Sequence, residues 1–437
     1  MYQRIVALLI LITVLIIQFV IAEESDTKIN GKGTVYFQFG QMVHTFDPSL
    51  SGLTNKTWEQ RSDLRLSMDA TIRKRLEIVV GVEFALVTQA QPPKAGVGTT
   101  GTNSFYQYFN AIEGEGIYSF FNDPQDAALP LQIALGYFPF KYDEQATNMG
   151  EYLFRSGIYP PYILNDFDNC KARLMGLRIS STLFGALRQD LLFTSETYFA
   201  PIGDYSLSYL AGCKIGKLFD IGAGISFCRI VPLDPALTTP PGGIVYGDDN
   251  NPIIENGDTL LFTSMGTKIM GRVSFDPKPL LNSPNLFGLE LGPDDGILYA
   301  ESAILGLKNY GSNYNDLLKR WPIMVGFKIP AFKILDVVSL ELEYFAFQYN
   351  KIDFPQTTPT GVGQYSDFVS PNMFHWSIYA QKTLFSNLNI KGLIGKDHYR
   401  STGTNTSGLN WVDMPTSPEF LMGPDDWHYE LRAMYSF

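Results

Sequence analysis

Between Asp63 and Leu86 the chain alternates so strictly that few folds can hold it. Leu64, Leu66, Met68, Ala70 and Ile72 take every second position, and Asp63, Arg65, Ser67, Asp69 and Thr71 fill the places between. After Arg73-Lys74-Arg75 the pattern resumes. Leu76, Ile78, Val80, Val82, Phe84 and Leu86 then alternate with Glu77, Val79, Gly81, Glu83 and Ala85. A period of two places each set on one face of a strand. Two such strands joined by three residues form a tight hairpin.

The same period predicts strands near 33–46, 62–72, 76–87, 104–119, 129–140, 171–184, 187–199, 205–215, 218–230, 259–275, 297–308, 320–330, 334–349, 372–384, 388–400 and 426–437. Most of these sixteen run well beyond the roughly 5–6 residues of soluble sheets. They suit a tilted strand crossing a bilayer, which takes about 9–11. The connections carry separate information. Those at 47–61, 88–103, 141–170, 231–258, 309–319, 350–371 and 401–425 are long, whereas those at 73–75, 185–186, 216–217, 331–333 and 385–387 are tight. Long loops at one end and short turns at the other describe an antiparallel up-and-down transmembrane barrel, with extracellular loops and periplasmic turns. A soluble sandwich, which also buries one face and wets the other, gives no reason for that parity. Connections 120–128, 200–204 and 276–296 fit it poorly. The last contains Asn285-Leu-Phe-Gly-Leu-Glu-Leu, a candidate further strand, so the count carries a margin of two.

Charges fall on one face of the clear strands. In 334–349, Ser339, Glu341 and Glu343 oppose Val338, Leu340, Leu342 and Tyr344. A charge on the lipid face at the bilayer midplane costs about 2–4 kcal/mol, so the ionised face is expected to line a water-filled interior. Segments 104–119 and 297–308 leave their faces undecided.

At the N-terminus, Arg4 precedes an apolar core from Ile5 to Ile17, and Val20-Ile21-Ala22 precede Glu23-Glu24. This reads as a secretory signal peptide over 1–22, leaving 23–437 as the barrel; an uncleaved anchor is the alternative. After residue 22 no apolar run reaches the ~18 residues a spanning helix takes. The net charge of −11 and a charged fraction of 18% argue against nucleic-acid binding, which needs a basic face. Three cysteines with no CxxC spacing point to free thiols, with one incidental disulfide as the alternative. No metal site and no cofactor is indicated. No GxSxG elbow occurs; His398 and His428 near Asp397 and Ser401 are read as coincidence, and the chain is not expected to be an enzyme.

Phe437 ends the chain, and alternate residues back through Tyr435, Ala433, Leu431 and Tyr429 to Trp427 are aromatic or apolar. This resembles the terminal strand of Gram-negative outer-membrane barrels, in which a final aromatic is the signal read by the barrel-assembly machinery. Tyr435 and Phe437 would carry that signal here. Trp321, Trp376 and Trp427 near strand ends also fit interfacial aromatic girdles.

Sixteen strands, a signal peptide and a terminal Phe together resemble the general porin architecture, at the level of architecture only. The resemblance implies the outer membrane of a diderm bacterium, contact with its lipid, a homotrimer, and passive diffusion of small hydrophilic solutes or ions. It also implies that the third long connection, 141–170, folds into the lumen as a constriction carrying Asp143, Glu144, Glu151, Arg155, Asp166 and Asp168, with a short helix expected over Met149–Arg155. The candidate pore-lining set is Arg65, Asp69, Glu83, Arg178, Arg188, Lys268, Arg272, Lys328, Glu341, Glu343 and Arg432. Rings of such charges select solutes, or pair across strands and stiffen the wall. The other reading is a non-conducting barrel serving as an adhesin or envelope scaffold, or a transporter of apolar solutes. Leu192, Phe262, Phe345 and Phe347 on the inward phase favour it.

Overall fold

The computed structural model describes residues 27–44, 56–90, 103–120, 130–154, 172–197, 203–233, 254–255, 258–259, 266–281, 285–286, 288–307, 317–345, 374–397, 403–404, 410–411 and 424–437. Sixteen strands form the body: β1 (Thr27–His44), β2 (Trp58–Ile72), β3 (Leu76–Ala90), β4 (Asn103–Ser119), β5 (Leu131–Phe140), β6 (Ala172–Leu183), β7 (Leu187–Ser195), β8 (Tyr205–Ile215), β9 (Phe219–Val231), β10 (Gly266–Phe275), β11 (Leu298–Ile304), β12 (Ile323–Lys328), β13 (Val337–Tyr344), β14 (Phe374–Leu384), β15 (Leu388–Lys396) and β16 (Trp427–Ser436). Each pairs with the next. β16 pairs back with β1, from Thr34 opposite Ser436 to His44 opposite Trp427, and so closes an antiparallel barrel. Closure removes the two open edges that a sheet this large would otherwise expose.

The candidate further strand in 276–296 is not a barrel member. Asn285–Leu286 and Leu289–Glu290 form a separate two-residue hairpin that turns at Gly288, φ 82. The segment is tied down instead by Asp295, whose carboxylate accepts the Gly292, Ala331 and Phe332 amides at 2.8, 3.0 and 2.9 Å.

Alternation sorts the faces. Every strand sets an apolar side chain outward with 37–64% of its surface exposed: Val35, Leu66, Phe84, Phe109, Leu135, Met175, Leu191, Tyr209, Ile221, Val273, Leu298, Val325, Leu342, Ile378, Ile394 and Leu431 in order round the barrel. The interposed residues point inward, and there Arg61, Asp63, Glu83, Lys268, Arg272, Glu301, Glu341, Glu343 and Arg432 are buried.

Local chemistry sets the turns and bends. The tight turns place consecutive residues in the left-handed region: Arg73 and Lys74 (φ 52 and 56), Phe184 and Gly185 (53 and 67), Phe332 and Lys333 (51 and 61), Phe385 and Ser386 (53 and 59). Such turns match the twist of the strands they join. Gly136 in β5 faces Gly176 in β6, with φ of 140 and 154. A Cβ on either would strike a neighbouring carbonyl oxygen, that of Gly114 or of Phe193, so this backbone conformation is open to both only because both are glycine. In β4 the register shifts between Gly81 and Val82 of β3, which face Glu113 and Ala111, leaving Ile112 as an extra residue. That bulge moves the inward phase from Asn110 to Glu113 and Glu115.

Candidate functional site

Past Phe140 the chain turns into the barrel. Ala146, Met149, Tyr152 and Leu153 of segment 141–154 are buried against Leu192 of β7, Leu210 of β8, Met270 of β10, Tyr299 and Ala303 of β11, and Met324 of β12. Here the inner wall is apolar because it packs a segment of chain. Burying one large side chain this way contributes about 1.5–3 kcal/mol. Gly224 of β9 leaves room for it: a Cβ there would lie 3.0 Å from Leu153 Cδ2.

Polar groups fix the segment further. Glu341 Oε1 accepts the Thr147 amide (2.6 Å) and the Tyr299 hydroxyl (2.8 Å); its Oε2 accepts the Asn148 and Met149 amides (2.9 and 2.8 Å). Glu301 accepts the Glu151 and Tyr152 amides (2.6 and 2.9 Å) and the Tyr142 hydroxyl (2.5 Å). Glu343 accepts the Tyr152 hydroxyl at 2.6 Å and lies 3.3 Å from His375 Nδ1. Thr147 and Ser339 hydroxyls meet at 2.8 Å, and Asn148 Nδ2 donates to Asp397 at 2.8 Å. Tyr299 reaches Glu341 by lying across Gly326 of β12, where any Cβ would collide with its ring.

The helix expected over Met149–Arg155 does not form in the described part of that stretch. Gly150 and Glu151 are left-handed, with φ 83 and 61, and the amides that would open a helix point at wall carboxylates. Glu151 turns its own carboxylate back onto the Tyr142 and Asp143 amides, at 3.1 and 2.6 Å. Burial, reinforced by the charge of Glu301, holds Glu151 well above the usual carboxylate range. Burial also raises Asp143, against the pull of Arg272 and the Gln145 amide.

Beside the segment, β7 to β10 bring four of the sequence-derived candidates together. Arg188 of β7 and Arg272 of β10 both reach Asp220, at 2.5 and 3.2 Å. Arg272 also lies 3.9 Å from Asp143, and Arg188 lies 3.7 Å from Glu144. The intervening wall positions are Gly212 and Gly222, and a Cβ on Gly222 would sit 2.6 Å from Arg272 Nε. The glycines let long guanidinium chains lie flat on the wall. Glu144 is the exposed acid of this group, with 70% of its side chain accessible.

A second charged cluster spans β16, β1, β2 and β3. The Tyr36 ring carries three guanidinium groups, those of Arg432, Arg65 and Arg61, at 4.5, 4.8 and 5.7 Å from its centroid. Arg61 pairs with Asp63 at 2.8 Å, and Arg65 with Glu83 at 2.7 Å. Arg432 also donates to Gln38.

The remaining candidates are dispersed. Asp69 accepts from Asn30 at 2.8 Å, Arg178 covers Phe138 at 5.1 Å, Lys268 donates to the Leu153 carbonyl at 3.3 Å, and Lys328 pairs with Asp294 at 2.8 Å. Arg155, Asp166, Asp168, Phe262, Phe347, His398 and the segment 1–22 lie outside the described residues. Leu192 and Phe345 belong to the buried inner cluster. Cys213 and Cys228 are free thiols. His428 and Asp397 do meet, at 3.0 Å, and Asp397 shares its other oxygen with Asn148. Among the described residues no group of three His, Cys, Asp or Glu side chains is arranged to hold a metal ion.

Sequence reasoning missed Glu301, Arg61 and Asp220. Glu301 had a usable signal, as the sole charge in a short strand otherwise made of apolar and small residues.

A closed antiparallel barrel of sixteen strands, apolar outside and ionised inside, is the porin architecture. No family model matches the chain, and no curated protein matches it. Among solved structures it is similar to the Salmonella typhi OmpF complex with daunomycin, at 11% identity and a TM-score of 0.46, over 94% of this chain and 98% of that one. It is also similar to mutants of the Rh. blastica porin, one at 10% identity and a TM-score of 0.41, over 94% of this chain and 100% of that one. The sixteen-strand closure is read from this chain's own pairing and owes nothing to those likenesses.

Proposed function

We propose that the chain is a porin-type diffusion channel in the outer membrane of a diderm bacterium, passing small hydrophilic solutes or ions. The observation that carries this reading is the inside-out distribution of side chains. A ring of outward apolar residues with one on every strand, each more than a third exposed, is a contiguous apolar surface of a kind soluble proteins rarely carry and is at home in hydrocarbon. Ionised side chains gather on the opposite face. Segment 141–154 supports the constriction reading, since it occupies part of the interior and sets Asp143 and Glu144 against Arg272 and Arg188. Solutes would be selected by width and by this local field, with no bond made or broken. In this reading residues 1–22 direct export, and Tyr435 and Phe437 mark the strand for assembly. Phe437 fits that role because it exchanges two 2.9 Å backbone hydrogen bonds with Gly33 at the barrel seam. A homotrimer is part of the same proposal.

The apolar cluster inside the barrel favours a second reading, a non-conducting barrel that serves as an adhesin or scaffold. Planar-bilayer recording separates the two. The channel reading expects discrete conducting steps, and a Glu144→Lys variant that conducts but shifts its reversal potential toward anion preference. Folded protein that inserts without conducting steps overturns it.

A further inference from the structure

We infer that Glu301 and Glu341 are positioning residues, a pair of wall carboxylates that clamps residues 147–152 at one depth in the barrel and so sets its aperture; the word aperture rests on the channel reading, the clamp does not. Five of these six residues, Thr147, Asn148, Met149, Glu151 and Tyr152, donate their amides to the two carboxylates. The sixth, Gly150, carries the chain from one carboxylate to the other. A Cβ there would lie 2.7 Å from Met324 Cε and 2.9 Å from Glu301 Oε2.

The stretch forms no helix or strand. Its buried amides therefore depend on side-chain acceptors, and a buried amide left without one loses on the order of 1–3 kcal/mol, or roughly 5- to 150-fold in an equilibrium. A carboxylate is the side chain suited to this, because it offers about four lone-pair sites and no donor. Glu341 has four donors on its two oxygens and Glu301 has three. Both side chains are almost wholly buried, at 0% and 1% exposure. Tyr299 and Tyr142 hold the clamp from behind, through Glu341 and Glu301 respectively. Glutamine in place of Glu341 would keep one acceptor oxygen and turn an NH2 toward at least one amide donor, that of Thr147 in one orientation or those of Asn148 and Met149 in the other. The segment would then lose its anchor while the wall kept its shape.

The test is amide hydrogen exchange on the folded barrel, comparing wild type with Glu341→Gln and Glu301→Gln. The clamp predicts that peptides covering 142–153 exchange at least roughly tenfold faster in the variants, while strand peptides from β1 to β4 keep wild-type protection. Unchanged exchange over 142–153 in both variants overturns it. Reversal is checked with Thr147→Cys and Ser339→Cys in a background whose three native cysteines are serine. Their hydroxyls meet at 2.8 Å, so the two replacement thiols would face each other. Oxidation should restore protection to Glu341→Gln, and reduction should release it. If neither Gln variant folds, the locked form decides: its folding supports the clamp, and its failure to fold shows that the carboxylates hold the wall itself and overturns it. In planar bilayers, Glu341→Gln should give larger and unsteady steps than wild type. A wild type that does not conduct would end the channel reading and leave the exchange result to judge the clamp.

Discussion

Replacing Ile378 with arginine isolates the solvent that meets the outer wall. Ile378 points outward midway along β14, is 42% exposed, and pairs with Leu340 of β13 and Ile394 of β15. No partner strand covers it and no cavity is opened by its loss, so the change in stability reports its surroundings. At a bilayer midplane an arginine costs about 2–4 kcal/mol, against about 0–1 near the interface. On a water-exposed surface it would stay within roughly 0.5 kcal/mol of neutral. The rim control is Leu388→Arg, at the start of β15 beside the tight turn of Phe385 and Ser386. There the long side chain can reach water while its stem stays on the wall. Denaturant unfolding in vesicles should show Ile378→Arg losing about 2–4 kcal/mol, or roughly 30- to 700-fold in the folding equilibrium, with Leu388→Arg losing little. Equal and negligible losses at both positions would refute the membrane reading, however well the barrel is closed.

Two further outcomes are expected. Gly33→Val should weaken the β1–β16 seam by about 1–3 kcal/mol, because its side chain would enter the space of the Phe437 ring; the folded fraction after refolding into vesicles reads this, and wild-type yield and stability would count against it. Glu151→Gln should flatten the pH dependence of stability: the folded Glu151 holds its proton above the ordinary value of 4.5, so the folded state binds more protons and stability falls as pH rises through that window. Glutamine is neutral throughout and its Oε1 can keep both amide bonds that Glu151 Oε1 now makes. An unchanged slope in unfolding midpoint against pH would refute it.

Much of this protein was legible in the sequence by itself. Strict alternation in Asp63–Leu86 and Val338–Tyr344 fixed which side chains share a face, because a strand has a period of two whatever it pairs with. Tight turns paired the strands that flank them, since short turns can join only neighbours, and put the count at sixteen within a margin of two; closure at sixteen is decided by the pairing of β16 with β1. The alternation fails as a guide where local geometry breaks the period. The Ile112 bulge reverses the inward phase within β4, and in the seven-residue β11 Tyr299 and Ala303 point in while Ala300 points out, so size and polarity do not mark the face. Glu301 was missed for that reason. Only the tertiary structure could reveal that Glu341 and Glu343 hold chain rather than face open solvent, or that Arg188 and Arg272 reach the same Asp220. Those contacts join residues 32 to 194 positions apart, and no periodicity spans that distance. They are decided by closure, which brings β5's following segment across to β11 and β13, and by glycines at 212, 222 and 326 whose missing side chains make room for their neighbours.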